Sequence, residues 1–148
     1  MKFERKWKYQ SYRPDPGSLA ADPNPPTFVR WSPTGTVTID EGGTTGKLVF
    51  TGTPPGTPPI VLDLKFQITD GSPGGLHISA IMNLPNGKQF TNELQGWFVP
   101  AKLGEAADEA NNPLVVRGSI VQTSEDIAPP PARQPMFTTG FFILEPLP

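Results

Sequence analysis

The sequence predicts an all-β domain, a small antiparallel up-and-down barrel of about eight strands, and three observations carry that expectation. The first is strict alternation from Ile60 to Ile68, where Ile60, Leu62, Leu64, Phe66 and Ile68 are separated by polar residues, apart from Val61. Period-two alternation marks a strand with one dry face and one wet face. The second is that the 20 Pro and 15 Gly of the 148 residues cluster between apolar runs, where turns and loops fall. The third is that only residues 101–112, AKLGEAADEANN, have any helical character, enough for one or two turns.

Residues 2–12 read as the first strand, with Phe3, Arg5, Trp7 and Tyr9 on one parity and Glu4, Lys6, Lys8 and Gln10 on the other. Residues 13–26, RPDPGSLAADPNPP, carry too many prolines for strand or helix and read as a long loop. A strand over 27–40 follows, broken at Pro33 and Gly35, and residues 47–53 form its partner across the Gly-rich turn at 41–46. The proline-rich turn 54–59 leads into the strand 60–69. Leu76, Ile78, Ala80, Met82 and Leu84 give the apolar face of a strand at 76–84. Asn86-Gly87 is a type I′ hairpin signal, and 88–99 is the returning strand, with Phe90, Asn92, Leu94 and Phe98 in phase. Residues 114–123 and 136–145 are strands apolar on both faces, separated by a proline-rich loop at 124–135.

Short connections favour antiparallel neighbours in chain order, and a flat sheet of this size would leave two free edges. Closing the first strand against the last removes them. A two-sheet sandwich fits the same strand count and is the alternative architecture. The pattern is similar to the small barrels of the avidin, lipocalin and allene-oxide-cyclase-like (calycin-like) type, which implies an interior that holds a small molecule. The lipocalin Gly-x-Trp near the first strand is absent, so no family follows from the residues. The length sets one domain, residues 1–148.

A formal charge of −2 argues against nucleic-acid binding, which needs a basic footprint. With no cysteine there is no disulfide and no thiolate metal site. The single histidine, His77, lies on a polar parity with no carboxylate at a metal-binding spacing, so no metal and no cofactor are expected. No Gly-x-Ser-x-Gly, P-loop or dinucleotide fingerprint is present. No membrane span is long enough and no signal segment is visible, so the expected compartment is the cytoplasm, with a trimmed secreted chain as the alternative.

What the pattern leaves over is a set of polar or aromatic residues on apolar faces: Arg5, Trp7, Tyr9, Asn92, Gln122 and Thr138, with Glu93 and Trp97 as the set from the opposite parity. Buried polar groups must pair with each other or with a ligand. An interior site is therefore expected, lined by Trp7, Tyr9, Leu64, Phe66, Met82, Phe90 and Phe98, with Arg5 and Asn92 as polar anchors and the 13–26 loop capping one barrel end. The expected function is binding of a small, mainly apolar molecule. A cyclase or isomerase acting in the same cavity, and a filled barrel with a structural role, are the alternatives. Catalytic residues are not assigned. Phe137, Phe141 and Ile143 point opposite to Phe142 and Leu144 and both sets need burial, which points to a homodimer through the C-terminal strands, with the 124–135 loop folded back as the alternative cover.

Overall fold

The alternating runs form nine strands in the computed structural model, which describes residues 5–15, 27–51, 55–56, 58–125 and 136–148. They are β1 (Lys6–Pro14), β2 (Phe28–Arg30), β3 (Gly35–Ile39), β4 (Thr45–Phe50), β5 (Val61–Thr69), β6 (Gly75–Asn83), β7 (Gln89–Pro100), β8 (Leu114–Gln122) and β9 (Thr139–Pro146). Eight of them, all but β2, run round a closed antiparallel barrel in the order β1-β3-β4-β5-β6-β7-β8-β9. Closure comes from β1 and β9, whose pairs run from Trp7↔Pro146 to Tyr12↔Phe141. The pairing of first and last strands matches the expectation, and it rules out the two-sheet sandwich.

Antiparallel pairing assigns every connection to one end of the barrel. We call lower the end where β1 begins. It carries the β3–β4 and β5–β6 turns and the long β7–β8 connection. The upper end carries the β6–β7 hairpin and the links β1 to β2, β4 to β5 and β8 to β9. All three proline-rich stretches therefore join strands at the upper end. Most of the 13–26 loop, and most of 124–135, lies outside the described residues, so the expected cap at 13–26 does too.

Two elements depart from expectation. The segment 101–112 is not helical: it is a turn closed by an Asp108↔Asn112 bridge. Gly104 sits at φ +89°, outside helical space. Asn112, buried to 3% exposure, accepts from Lys102 N at 2.7 Å and donates to the carbonyls of Lys102, Glu105 and Ala106. Side-chain bonds of this kind compete with helix formation. The other departure is β1, which continues through Arg13 to Pro14 and pairs β2 there. Pro14 is tolerated because it ends the strand, where its missing N–H removes no interior ladder bond.

β2 and β3 are two pieces of one strand interrupted by a wide bulge. Along β1 the step from Tyr9 to Tyr12 faces the longer step from Gly35 to Arg30. The four residues Trp31-Ser32-Pro33-Thr34 face only Gln10 and Ser11, and the segment is pinned by Trp31 N donating to Ser11 O at 3.0 Å and by Arg30 Nη1 donating to Thr34 Oγ1 at 3.1 Å. Bulges re-aim side chains and sit at barrel rims. Here Trp31 is aimed across Gly140 of β9, where an added Cβ would lie 3.0 Å from the indole ring and 2.0 Å from Tyr12 O.

Inward parity builds the core, but it does so unequally along the barrel axis. Trp7, Ile39, Phe66, Leu76, Phe98 and Val116 fill the lower half, with Trp7 and Phe98 edge to face at 6.5 Å between centroids. Eight-stranded barrels are just wide enough to be filled by side chains or to hold one small ligand. The lower half takes the first course. Ile68 keeps inward parity yet is exposed, because it lies at the lower rim where the wall ends.

Candidate functional site

The upper half of the barrel encloses a cavity of about 360 Å³. That is within the span of ligand sites, roughly 300–1,000 Å³. Its walls are the inward residues of β4 to β7: Leu48, Leu62, Leu64, Ile78, Ala80, Met82, Phe90 and Leu94, with Phe50 and Ile60 toward the top. Each has the parity that the alternating runs assign to the interior. The rest of the lining mixes polar and apolar side chains: Tyr9, Ser11 and Arg13 on β1, Trp31, Ser32 and Pro33 on the bulge, and Val37, Ile120 and Leu144 on β3, β8 and β9.

Tyr9 is the pivot between filled and hollow halves. Its ring stacks on Phe142 at 6.5 Å between centroids and meets Phe50 edge-on at 6.2 Å. Burial pushes its phenol pKa up to about 12, against the opposing effect of a hydrogen bond with the Ser11 side chain. Ser11 is itself buried, and its Oγ lies 3.0 Å from Ser32 Oγ, so the bulge is tied to the cavity wall. Because the folded pKa is raised from 10.0, Tyr9 contributes stability that is fully present below about pH 10 and lost as pH rises to about 12. The loss should reach about 3 kcal/mol. Urea titrations at increasing alkaline pH should show this loss in the native protein, and Tyr9→Phe should lack that share of it.

Asn92 of β7 faces the cavity from the apolar side. It is 6% exposed, between Leu94 and Phe90 on the same strand, and its cross-strand neighbours are Ala80 and Gln122. Among the described residues its side-chain amide has no hydrogen-bond partner, whereas the neighbouring Gln122 donates from Nε2 to Ser124 O at 2.8 Å.

The residues expected at the site divide into three groups. Tyr9, Leu64, Met82, Phe90 and Asn92 line the cavity. Trp7, Phe66 and Phe98 face inward but belong to the packed lower half. Arg5 is a correction: it precedes β1, its side chain is half exposed, and Nη2 donates to Glu109 Oε1 on the β7–β8 connection. It shares Trp7's parity but lies beyond the lower rim, where there is no interior to enter. Ser11 and Arg13 were missed although they continue the parity of Trp7 and Tyr9. Trp31 and Ser32 enter the site only because of the bulge, and no periodic signal marks them.

A second polar group lies on the outer wall, where His77 was expected to face solvent. His77 Nε2 is 2.7 Å from Glu93 Oε2, His77 Nδ1 is 3.3 Å from Gln95 Oε1, and Ser79 Oγ donates to both Glu93 oxygens, at 3.1 and 2.9 Å. The carboxylate sits between serine and imidazole. A nucleophilic serine needs its base within hydrogen-bond reach, and here the hydroxyl reaches the acid instead. The group is a cross-strand tie rather than a catalytic triad. No group of three His, Asp or Glu among the described residues could hold a metal ion, and no helix among them is long and apolar enough to cross a membrane.

No protein-family model, no curated protein and no solved structure matches this chain.

Proposed function

We propose that this barrel binds a small, mainly apolar molecule in its upper cavity. The observation that carries the reading is the contrast between the two halves: packed aromatics below, and above them a 360 Å³ space whose largely apolar lining includes the amide of Asn92. A core grown only for stability would fill that space, since voids forfeit contacts. Binding is favoured over turnover by the state of Tyr9. A phenol held near pKa 12 stays protonated and can donate a hydrogen bond, but it is far from the pH-matched acid that general catalysis favours. Ala80→Phe, which projects a ring into the cavity from β6, tests the reading. Apolar ligands found by thermal shift on the native protein should lose at least about tenfold in affinity for the variant, while its melting temperature without ligand changes little. Undiminished binding by Ala80→Phe would place the ligand elsewhere.

The outer wall supports a second, separate proposal, a homodimer through the C-terminal strands. Phe141 of β9 is 56% exposed and packs on Phe28 of β2 at 5.4 Å between centroids, while Trp97 of β7 is also exposed. Beside Phe141 runs a groove floored by Gly118 and walled by Trp97, Arg117, Ile143 and Tyr12. Protruding ring and groove lie on one face, the arrangement a two-fold interface requires, because each copy then presents both. Phe141→Arg should turn a dimer into a monomer in analytical ultracentrifugation without loss of fold. A native protein that is monomeric at high concentration would refute the proposal.

A further inference from the structure

Resting on the cavity-binding reading for its choice of partner, we propose that the upper end of the barrel docks on a lipid surface. The sequence repeats one arrangement at three places. Each proline-rich stretch ends in a proline followed within two residues by a large apolar side chain: Pro26 by Phe28, Pro59 by Ile60, and Pro135 by Met136 and Phe137. Residues that enter or leave surface connections are ordinarily polar. Here all four apolar side chains are exposed, and all three connections stand at the upper end. Phe28 lies beside the top of β1, and Ile60, between β4 and β5, is half-way round the barrel from Phe137, between β8 and β9. The most exposed of the four is Phe137, at 68%, and its backbone is in the left-handed region at φ +67°. That conformation is costly for a bulky residue. It is held by Phe137 N donating to Gln122 O at 2.7 Å and by Thr139 Oγ1 donating to Phe137 O at 3.1 Å. A ring in water adds little to folding, so what the turn serves is what the ring meets outside.

Ile60 decides the kind of partner. It lines the cavity and is also exposed, so the apolar lining reaches the surface at this same rim. An apolar molecule collects in lipid, and one that entered past Ile60 would stay on apolar groups from the lipid to the cavity. Separate projecting tips suit a fluid lipid surface, which needs no matching shape, better than they suit a rigid protein face. The lower end supplies a contrast. Leu103 on the β7–β8 connection is 67% exposed, but it shares that segment with Glu105, Asp108 and Glu109 and stands at the filled half of the barrel. A lipid surface is met by the upper tips and not by Leu103.

Flotation of the full-length protein with phosphatidylcholine vesicles tests this. The native protein should partition onto the vesicles and stay there in high salt, because the contact is apolar. Phe137→Gly removes the ring and suits the left-handed backbone, so the fold is kept. It should lower the partition coefficient at least about fivefold, whereas Leu103→Ser should change it less than about twofold. Ala80→Phe should partition like the native protein, because it alters the cavity and leaves the rim. A native protein that does not float would overturn the inference and leave the cavity-binding reading to its own test by Ala80→Phe. Equal losses in Phe137→Gly and Leu103→Ser would overturn it, and so would undiminished flotation of Phe137→Gly. Loss of flotation in Ala80→Phe would also overturn it, since the signal would then come from lipid taken into the cavity. Self-association that Phe137→Gly abolishes in ultracentrifugation would give the rim to a second copy of the chain, and the inference would fall.

Discussion

Gly118→Ala is expected to cost more than about 3 kcal/mol, a loss that a single added methyl group rarely causes. Gly118 faces Gly96 across the β7–β8 ladder. A Cβ at Gly118 would lie 1.9 Å from Gln95 O and 2.5 Å from Gly96 Cα, and all of these are backbone atoms that cannot swing aside. The two strands approach so closely there that they must separate or the pairing must shift. Gly75→Ala is the control, because its Cβ would meet Thr69 Cβ at an ordinary 3.6 Å. It should change stability by less than about 1 kcal/mol. Urea denaturation of the three proteins decides the matter. Equal midpoints for Gly118→Ala and Gly75→Ala would mean that the close approach is not a feature of the folded protein.

Removing residues 136–148 should have a still larger effect and yield insoluble protein. The deletion takes away β9, which pairs β1 on one side and β8 on the other. It also takes Phe142 and Leu144 out of the core. The remaining sheet would have two long free edges and an open apolar interior, which is how aggregation between sheet edges begins. Soluble expression with a cooperative unfolding transition would show that the other seven barrel strands do not need closure.

How far the barrel was legible in the sequence depends on what kind of information parity carries. Alternation at Ile60–Ile68 and at Leu76–Met82 separates inside from outside, and those assignments hold along most of β5 and β6. Edge avoidance adds closure, and β1 does pair β9. Parity says nothing about height along the barrel axis, which is set by strand tilt and by the register of every neighbouring pair. Trp7, Phe66 and Phe98 share a parity class with Tyr9, Met82 and Phe90, yet the first three lie in the packed half and the others beside the cavity. Arg5 fails for the same reason, in that an inward parity outside the ladder points nowhere. The bulge at Trp31–Thr34 depends on a register difference between two strand pairs, which no local pattern records.

The division of the core into a filled half and a hollow half has a consequence for how such a chain can change. Substitutions at Met82, Phe90 or Phe50 would reshape the hollow region while leaving Trp7, Phe66, Leu76 and Phe98 in contact. On the proposed reading, selection on what the barrel accepts would act mainly on the upper positions and selection on folding mainly on the lower ones, although both belong to one packed cluster. The same partition gives an engineer a defined set of positions to randomise and another to leave alone.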